Sequence, residues 1–302
     1  MYDIIIIGAG PAGMTAAIYA RRASKSVLVL EALTYGGQII NTPDIENYPV
    51  AAHISGFEFA TKVYEQAEAL GAEFVFEKAV GITDSGTCKK VKTTENEYEC
   101  KAVIIATGSA NRKLGIEGED GLVGRGVSYC ATCDGAFYRG KTVAVAGGGN
   151  TALEDALYLA DLAEKVYIVH RRDSFRGDET TVNTLKQRPN VEFVYNSNVT
   201  KLIADKRLTA IEVTDKLTGE TRELSVDGLF VAIGRVPENR GFAQLITLDD
   251  AGYISAGEDC LTNVPGIFAA GDGRTKDVRQ LVTAASDGAV AATTAVRFVS
   301  SR

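Results

Sequence analysis

Short runs of consecutive apolar residues punctuate this chain, and several run straight into glycine. Ile4–Ile7 leads into Gly8-Ala9-Gly10-Pro11-Ala12-Gly13, and Thr142–Ala146 into Gly147-Gly148-Gly149-Asn150-Thr151-Ala152. Runs of four to six apolar residues without alternation predict strands buried on both faces, as in a parallel sheet. Behind the first glycine turn, the alanine-rich Met14–Arg22 reads as a helix, and Val27–Leu30 as a second buried strand ending in Glu31. Behind the second, Leu153–Leu162 reads as the helix and Val166–Val169 as the strand, followed by His170-Arg171-Arg172. Tyr98–Ile105, Val191–Tyr195 and Ala210–Thr214 fit further strands.

Strand, glycine turn, helix, strand is a βαβ unit, and it occurs twice. The expected fold is α/β: two Rossmann-like dinucleotide-binding domains, each in three layers. Val103–Gly108 closes the first unit and Leu229–Arg235 the second. A third strand, Gly266–Asp272, follows the second unit and is expected to complete the first. The chain thus reads as an interrupted domain, 1–113 plus 241–302, with 114–240 inserted. The loops Gly115–Gly118 and Pro237–Arg240 are the expected crossings.

In the first turn Gly8 permits the tight bend, Gly10 lets backbone approach a pyrophosphate, and Gly13 lets helix and strand pack closely. The helix N-terminus then offers free N–H groups to the phosphates, and Glu31 can accept from ribose hydroxyls. The alternative is a purely structural glycine turn. In the second turn Ala152 takes the third glycine position, a permitted variant. Arg171, Arg172 and Arg176 stand where an acid would favour NADH. Guanidinium groups there suit a 2′-phosphate, which favours NADPH, although Asp178 and Glu179 lie close by. The competing reading is a solvated basic patch.

Composition narrows the chemistry. The 302 residues are 45% hydrophobic and 24% charged, with a net charge of −7. Such a balance suits a globular protein and argues against nucleic acid as the main partner. No apolar run reaches the ~18 residues that a spanning helix needs. The N-terminus reads as a buried strand and not as a signal peptide, so a cytoplasmic location is expected. With only His53 and His170, a Ser-His-Asp hydrolase or a histidine-rich metal site is hard to assemble. Of five cysteines, only Cys130 and Cys133 are closely spaced, in Tyr129-Cys130-Ala131-Thr132-Cys133-Asp134-Gly135. A dithiol carries two electrons, as a nicotinamide and a flavin do. A helix start would raise the thiolate fraction of the pair. The alternatives are half of a zinc site or inert core thiols; Cys88, Cys100 and Cys260 read as structural. Asp134 is the nearby acid for a departing thiolate, or else a helix cap. The pair belongs to the inserted unit, and the matching loop of the first, Tyr35–Ile39, has no cysteine. A flavin on the first unit would have to meet both the disulfide and the nicotinamide of the second. Rotation of the inserted unit between two poses would serve both.

Together these motifs resemble the low-molecular-weight bacterial thioredoxin reductases, the class II pyridine nucleotide-disulfide oxidoreductases. The resemblance spans essentially the whole chain and includes Glu46-Asn47-Tyr48-Pro49, Ala106-Thr107-Gly108 and Ala270-Gly271-Asp272 leading to Arg279-Gln280. It implies FAD on Gly8, Gly10, Pro11, Ala12, Gly13, Glu31, Gly36, Gly37, Gln38, Asn47, Thr107, Gly108, Gly271, Asp272, Arg279, Gln280 and Leu281. It implies NADPH on Gly149, Asn150, Thr151, Ala152, His170, Arg171, Arg172, Arg176 and Arg235. Cys133 would face the flavin, Cys130 would attack thioredoxin, and Asp134 would supply the proton. It also implies a homodimer with a mobile NADPH domain. The chain departs from the family at Gly177, more often alanine, and at Ser286, often glycine. No thioredoxin domain or second redox pair follows Phe298-Val299, so a separate protein is the expected electron acceptor. Three rival readings share the scaffold: a ferredoxin-fed flavin thioredoxin reductase, which would lack the arginine cluster; a small-molecule dithiol oxidase; and a non-enzymatic redox sensor.

Overall fold

Ile4, Ile5, Ile6 and Ile7 are all buried, because the strand they form is covered on both faces. A computed structural model describes residues 1–302 except Pro43, Ala52, Thr87 and Arg302, and except the side chain of Asn41. The chain divides into two compact units, residues 1–110 with 236–302, and residues 111–235. It crosses in strands, Ser109–Asn111 and Arg235–Pro237, which pair with each other a few residues from the expected loops.

With elements numbered in chain order, the first unit holds β1 (Tyr2–Ile7), β2 (Val27–Leu30), β3 (Glu73–Val75), β4 (Ala79–Asp84), β5 (Lys89–Thr93), β6 (Glu97–Ile105) and β17 (Ile267–Ala269). They run β3-β2-β1-β6-β5-β4. β1 lies parallel between β2 and β6, with Ile6 opposite both Val29 and Ile104. The nine-residue β6 is shared along its length: Glu97–Cys100 pair antiparallel with β5, and Val103–Ile105 pair parallel with β17. The third strand read from the sequence therefore joins the first sheet. Successive side chains alternate between faces. Ile4 and Ile6 pack with α1 (Pro11–Arg22), α2 (Gly56–Ala69) and α6 (Leu281–Ser300), whereas Ile5 and Ile7 pack with Val91, Phe242 and Ile254.

In the second unit β8 (Val127–Ser128), β9 (Thr142–Gly147), β10 (Lys165–Val169), β11 (Val191–Val194) and β15 (Gly228–Ala232) form a parallel sheet, in the order β11-β10-β9-β15-β8. Val143 and Val145 face α4 (Asn150–Ala160) and α5 (Glu179–Lys186), whereas Ala144 and Ala146 face a second sheet. That sheet is antiparallel: β12 (Ser197–Ala204), β13 (Leu208–Asp215) and β14 (Thr221–Ser225). A one-turn helix, α3 (Ala131–Asp134), packs on α4. Among the described residues no helix is long and apolar enough to cross a membrane.

Candidate functional site

In the first unit the glycine turn, the loop after β2, the end of β6 and the start of α6 converge. α1 opens on Gly10 with no side-chain cap, so its first-turn N–H groups lack side-chain partners, and Pro11 follows at N1. A Cβ on Gly13 would lie 1.9 Å from the Gly8 carbonyl oxygen, so glycine is required there, whereas beside Gly10 the space is open. Ala12 is buried behind the turn. Glu31 ties the turn down, accepting from the Ala9 N–H at 2.8 Å and the Leu33 N–H at 3.1 Å. Four lone-pair directions leave that carboxylate room for ribose hydroxyls. The Gly36 N–H donates to the Ala9 carbonyl at 2.8 Å, and a Cβ on Gly37 would stand 3.2 Å from Gly10 Cα. Gln38 is exposed in the 3-10 turn that follows.

Residues far apart in sequence close this ring. Asn47 donates to Gln280 at 3.2 Å, and Gln280 caps α6 one residue before Leu281. Gly108 and Gly273 lie close enough that a Cβ on Gly273 would be 3.2 Å from the Gly108 carbonyl. Arg279 covers the Tyr253 ring at 4.3 Å. Sequence reasoning missed the residues that lock this arrangement. Asn239 is fully buried; it accepts from Thr107 at 2.8 Å and donates to the carbonyls of Gly252 (3.0 Å) and Gly273 (2.8 Å). Asp287, also buried, accepts from the Gly271 N–H at 2.9 Å and pairs with Arg274 at 2.8 Å and Lys276 at 2.9 Å. Burial pushes the Asp287 carboxyl up, but Arg274 and Lys276 outweigh it and hold the group below its ordinary value. This pair fixes the turn that carries Asp272.

In the second unit α4 opens on Gly149, again without a side-chain cap, and Asn150, Thr151 and Ala152 form its first turn. His170 is buried, and its ring lies where a Cβ on Gly148 would go, 2.2 Å away. Its Nε2–H donates to the Ser174 carbonyl at 3.0 Å, and burial holds its pKa below the usual value, so it is neutral. It thus walls the glycine turn. Arg171, Arg172 and Arg176 are exposed, and the Arg176 N–H donates to the Gly148 carbonyl at 2.9 Å, which brings that arginine beside the turn. Among the described residues these three arginines make no ion pair. Asp178 caps α5, accepting from the Thr181 N–H at 2.9 Å. Gly177 has a steric reason: a Cβ there would meet Leu153 at 2.5 Å and Asn150 at 2.8 Å. Arg235 opens the strand that leaves this unit.

Cys130 and Cys133 are joined in a disulfide, with their Cα atoms 5.3 Å apart. Cys130 is the N-cap of α3, and its carbonyl accepts from the N–H groups of Cys133 (3.3 Å) and Asp134 (3.1 Å). A 3-10 turn over Gly135–Tyr138 follows α3. Asp134 stands at the N-cap of that 3-10 turn without a side-chain capping bond; its carboxylate accepts from the Ser128 hydroxyl at 2.6 Å. Burial raises its pKa, and the Ser128 hydrogen bond opposes that shift. Asp155 on α4 was also missed, although it falls on the stripe of Ala152, Ala156 and Leu159; burial, then the charge of Glu154, pushes it up to about 7. Of the remaining cysteines, burial drives Cys100 and Cys260 up to about 12, which makes them poor nucleophiles.

Two dinucleotide-type turns and a redox-capable disulfide in one chain set the frame for comparison with known proteins. The sequence model of the pyridine nucleotide-disulphide oxidoreductase family matches residues 2–289. The chain belongs to that family. Thioredoxin reductases of Listeria monocytogenes and Bacillus subtilis are 43% and 44% identical to it over 300 residues, covering 99% of this chain and 94% and 95% of theirs. The crystal structure of a Streptococcus pyogenes thioredoxin reductase matches with a TM-score of 0.95 at 42% identity, over 100% of this chain and 99% of that one. Within the family the chain falls among the low-molecular-weight bacterial thioredoxin reductases. It is an oxidoreductase of the kind that works with a flavin and a nicotinamide nucleotide.

Proposed function

We propose that this protein is an NADPH-dependent thioredoxin-disulfide reductase that passes electrons through FAD and the Cys130–Cys133 disulfide to a thioredoxin. The observation that carries this reading is the disulfide on α3, held in the same unit as a glycine turn flanked by three exposed arginines. FAD is assigned to the first unit, where Gly10, Glu31, Asn47, Thr107, Asp272 and Gln280 line one ring. NADPH is assigned to the second, its phosphates on the N-terminus of α4 and its 2′-phosphate on Arg171, Arg172 and Arg176. When bound, the two cofactors supply an electron pair to the disulfide.

Opening that disulfide to two thiols takes two electrons and two protons. A hydride brings both electrons and one proton; the second proton comes from solvent through an acid. Cys130, at the N-cap of α3, attacks the thioredoxin disulfide, forming a mixed disulfide and releasing one thioredoxin thiolate, which takes a proton from Asp134. Cys133 then displaces the second thioredoxin sulfur, restoring the Cys130–Cys133 bond. The likeness to bacterial enzymes extends the proposal to a homodimer working in the cytoplasm. An anaerobic titration tests it: NADPH should bleach the yellow flavin, NADH far less, reduced ferredoxin not at all, and oxidised thioredoxin should restore the colour. A flavin that NADPH leaves oxidised would refute the donor.

A further inference from the structure

Ser128 ends β8, opposite Phe230 of β15, and is only 3% exposed. Its single hydroxyl stands at the junction of two groups that the proposed reaction uses. It donates to Asp134 Oδ2 at 2.6 Å and accepts from the Cys130 N–H at 3.1 Å. The Cys130 carbonyl lies 3.3 Å away, within reach of the same hydroxyl proton.

We propose that Ser128 is a positioning residue that couples the protonation of Asp134 to the backbone of Cys130. The inference rests on the reading of Asp134 as the proton source. A serine hydroxyl has one proton to give and two lone pairs. While Asp134 is ionised, the proton points to the carboxylate and one lone pair holds the Cys130 N–H. Once Asp134 is protonated, its own O–H donates to Ser128, and the serine proton swings to the Cys130 carbonyl. Both states are then satisfied with no heavy atom displaced, and a change of charge at Asp134 is felt as a changed hydrogen bond at the cap of α3. The other titratable groups on elements packed around Asp134 are Tyr138 on the following 3-10 turn, and Glu154, Asp155 and Tyr158 on α4. Arg207 and Asp227 act on Tyr138. Charge-assisted bonds are the stronger kind, so losing the hydroxyl disfavours the ionised carboxyl more than the neutral one.

The test is a carboxyl ¹³C titration of the oxidised holoprotein, with the Asp134 signal assigned from Asp134→Asn. In Ser128→Ala the Asp134 midpoint should rise by about one pH unit, the size expected of one lost bond to a charged group. Ser128→Thr, which keeps the hydroxyl, should bring it back. The pH profile of thioredoxin reduction should move the same way, with KM for thioredoxin unchanged. In the unaltered protein, independently of whether Ser128→Ala folds, the Cys130 amide proton should titrate with the Asp134 midpoint and cease to do so in Asp134→Asn. A Cys130 amide indifferent to pH, or a Ser128→Ala midpoint equal to the native one, overturns the coupling. An Asp134→Asn enzyme with native rate and pH profile overturns instead the acid role beneath it.

Discussion

At the strand end behind the first glycine turn stands Glu31, hydrogen-bonded to the turn itself; behind the second stand His170, Arg171 and Arg172. The two units share strand, turn and helix, and both helices open on an uncapped glycine. Under the proposed reading each turn is a phosphate cradle, and the residue after the strand decides what else fits. The first unit's ring is closed by buried polar ties, Asn239 and Asp287, whereas in the second Arg171, Arg172 and Arg176 are exposed and make no ion pair among the described residues, and the same unit carries the disulfide. Under the proposed reading one unit grips a permanent passenger and the other serves one that comes and goes.

Four experiments sharpen or break this contrast. The largest effect is expected at the disulfide. Cys130→Ser or Cys133→Ser should reduce thioredoxin turnover to background while the flavin stays bound, read by insulin-coupled assay and visible absorbance. Next, Asp287→Ala takes from buried Arg274 and Lys276 their shared buried carboxylate, leaving Arg274 only the exposed Glu258, and should destabilise the first unit by about 3–5 kcal/mol in denaturant unfolding. Here the sign follows from the lowered folded-state pKa: the stabilisation is present above the unfolded value and is lost as pH falls through the folded one. Native Asp287 should therefore lose its advantage over Asp287→Asn in acid.

Replacing Arg171, Arg172 and Arg176 together by glutamine should raise KM for NADPH by at least roughly 10–100-fold, since even one lost bond to a charged group is worth ~1.5–3 kcal/mol. KM for NADH should hardly move, and equal effects on both would mark the arginines as a merely solvated patch. The smallest effect concerns Asp155, whose sign is opposite to that of Asp287. Its folded pKa is raised, so it costs stability once the pH exceeds the unfolded value, increasingly up to about 7. Asp155→Asn should therefore raise Tm by a few degrees at pH 8 and leave it nearly unchanged at pH 4, as thermal melts at both pH values would show.

The parallel sheets were legible because their strands are unbroken apolar runs, buried whatever packs beside them. The hairpin β4–β5 was not, because Lys89-Lys90-Val91-Lys92 reads as surface; yet Lys89 is buried, paired with Asp84 at 3.3 Å. Helix starts were read late: α1 and α4 begin within the glycine motifs, at Pro11 and Asn150, where propensity is poor and the turn geometry decides. At the site, cysteines, glycines and arginines announce themselves by spacing. Asn239 and Ser128 do not, since their partners are supplied by the fold: Gly273 for Asn239, and for Ser128 a carboxylate brought round by one turn of helix. Asp155 had a signal, an acid on an apolar stripe, that periodicity alone would have flagged.

The sharing of β6 between β1, β5 and β17 has a consequence for how the molecule is made. β17 and α6 emerge from the ribosome after the whole inserted unit, yet α6 packs on α1, which precedes that unit. The early segment therefore stays unfinished until they follow, with its isoleucine strand lacking cover on one face. The inserted unit is continuous in sequence and meets no such delay, so although it is second in the chain it is the first able to mature. Nascent chains halted near residue 240 should hold a protease-resistant interior and a digestible beginning.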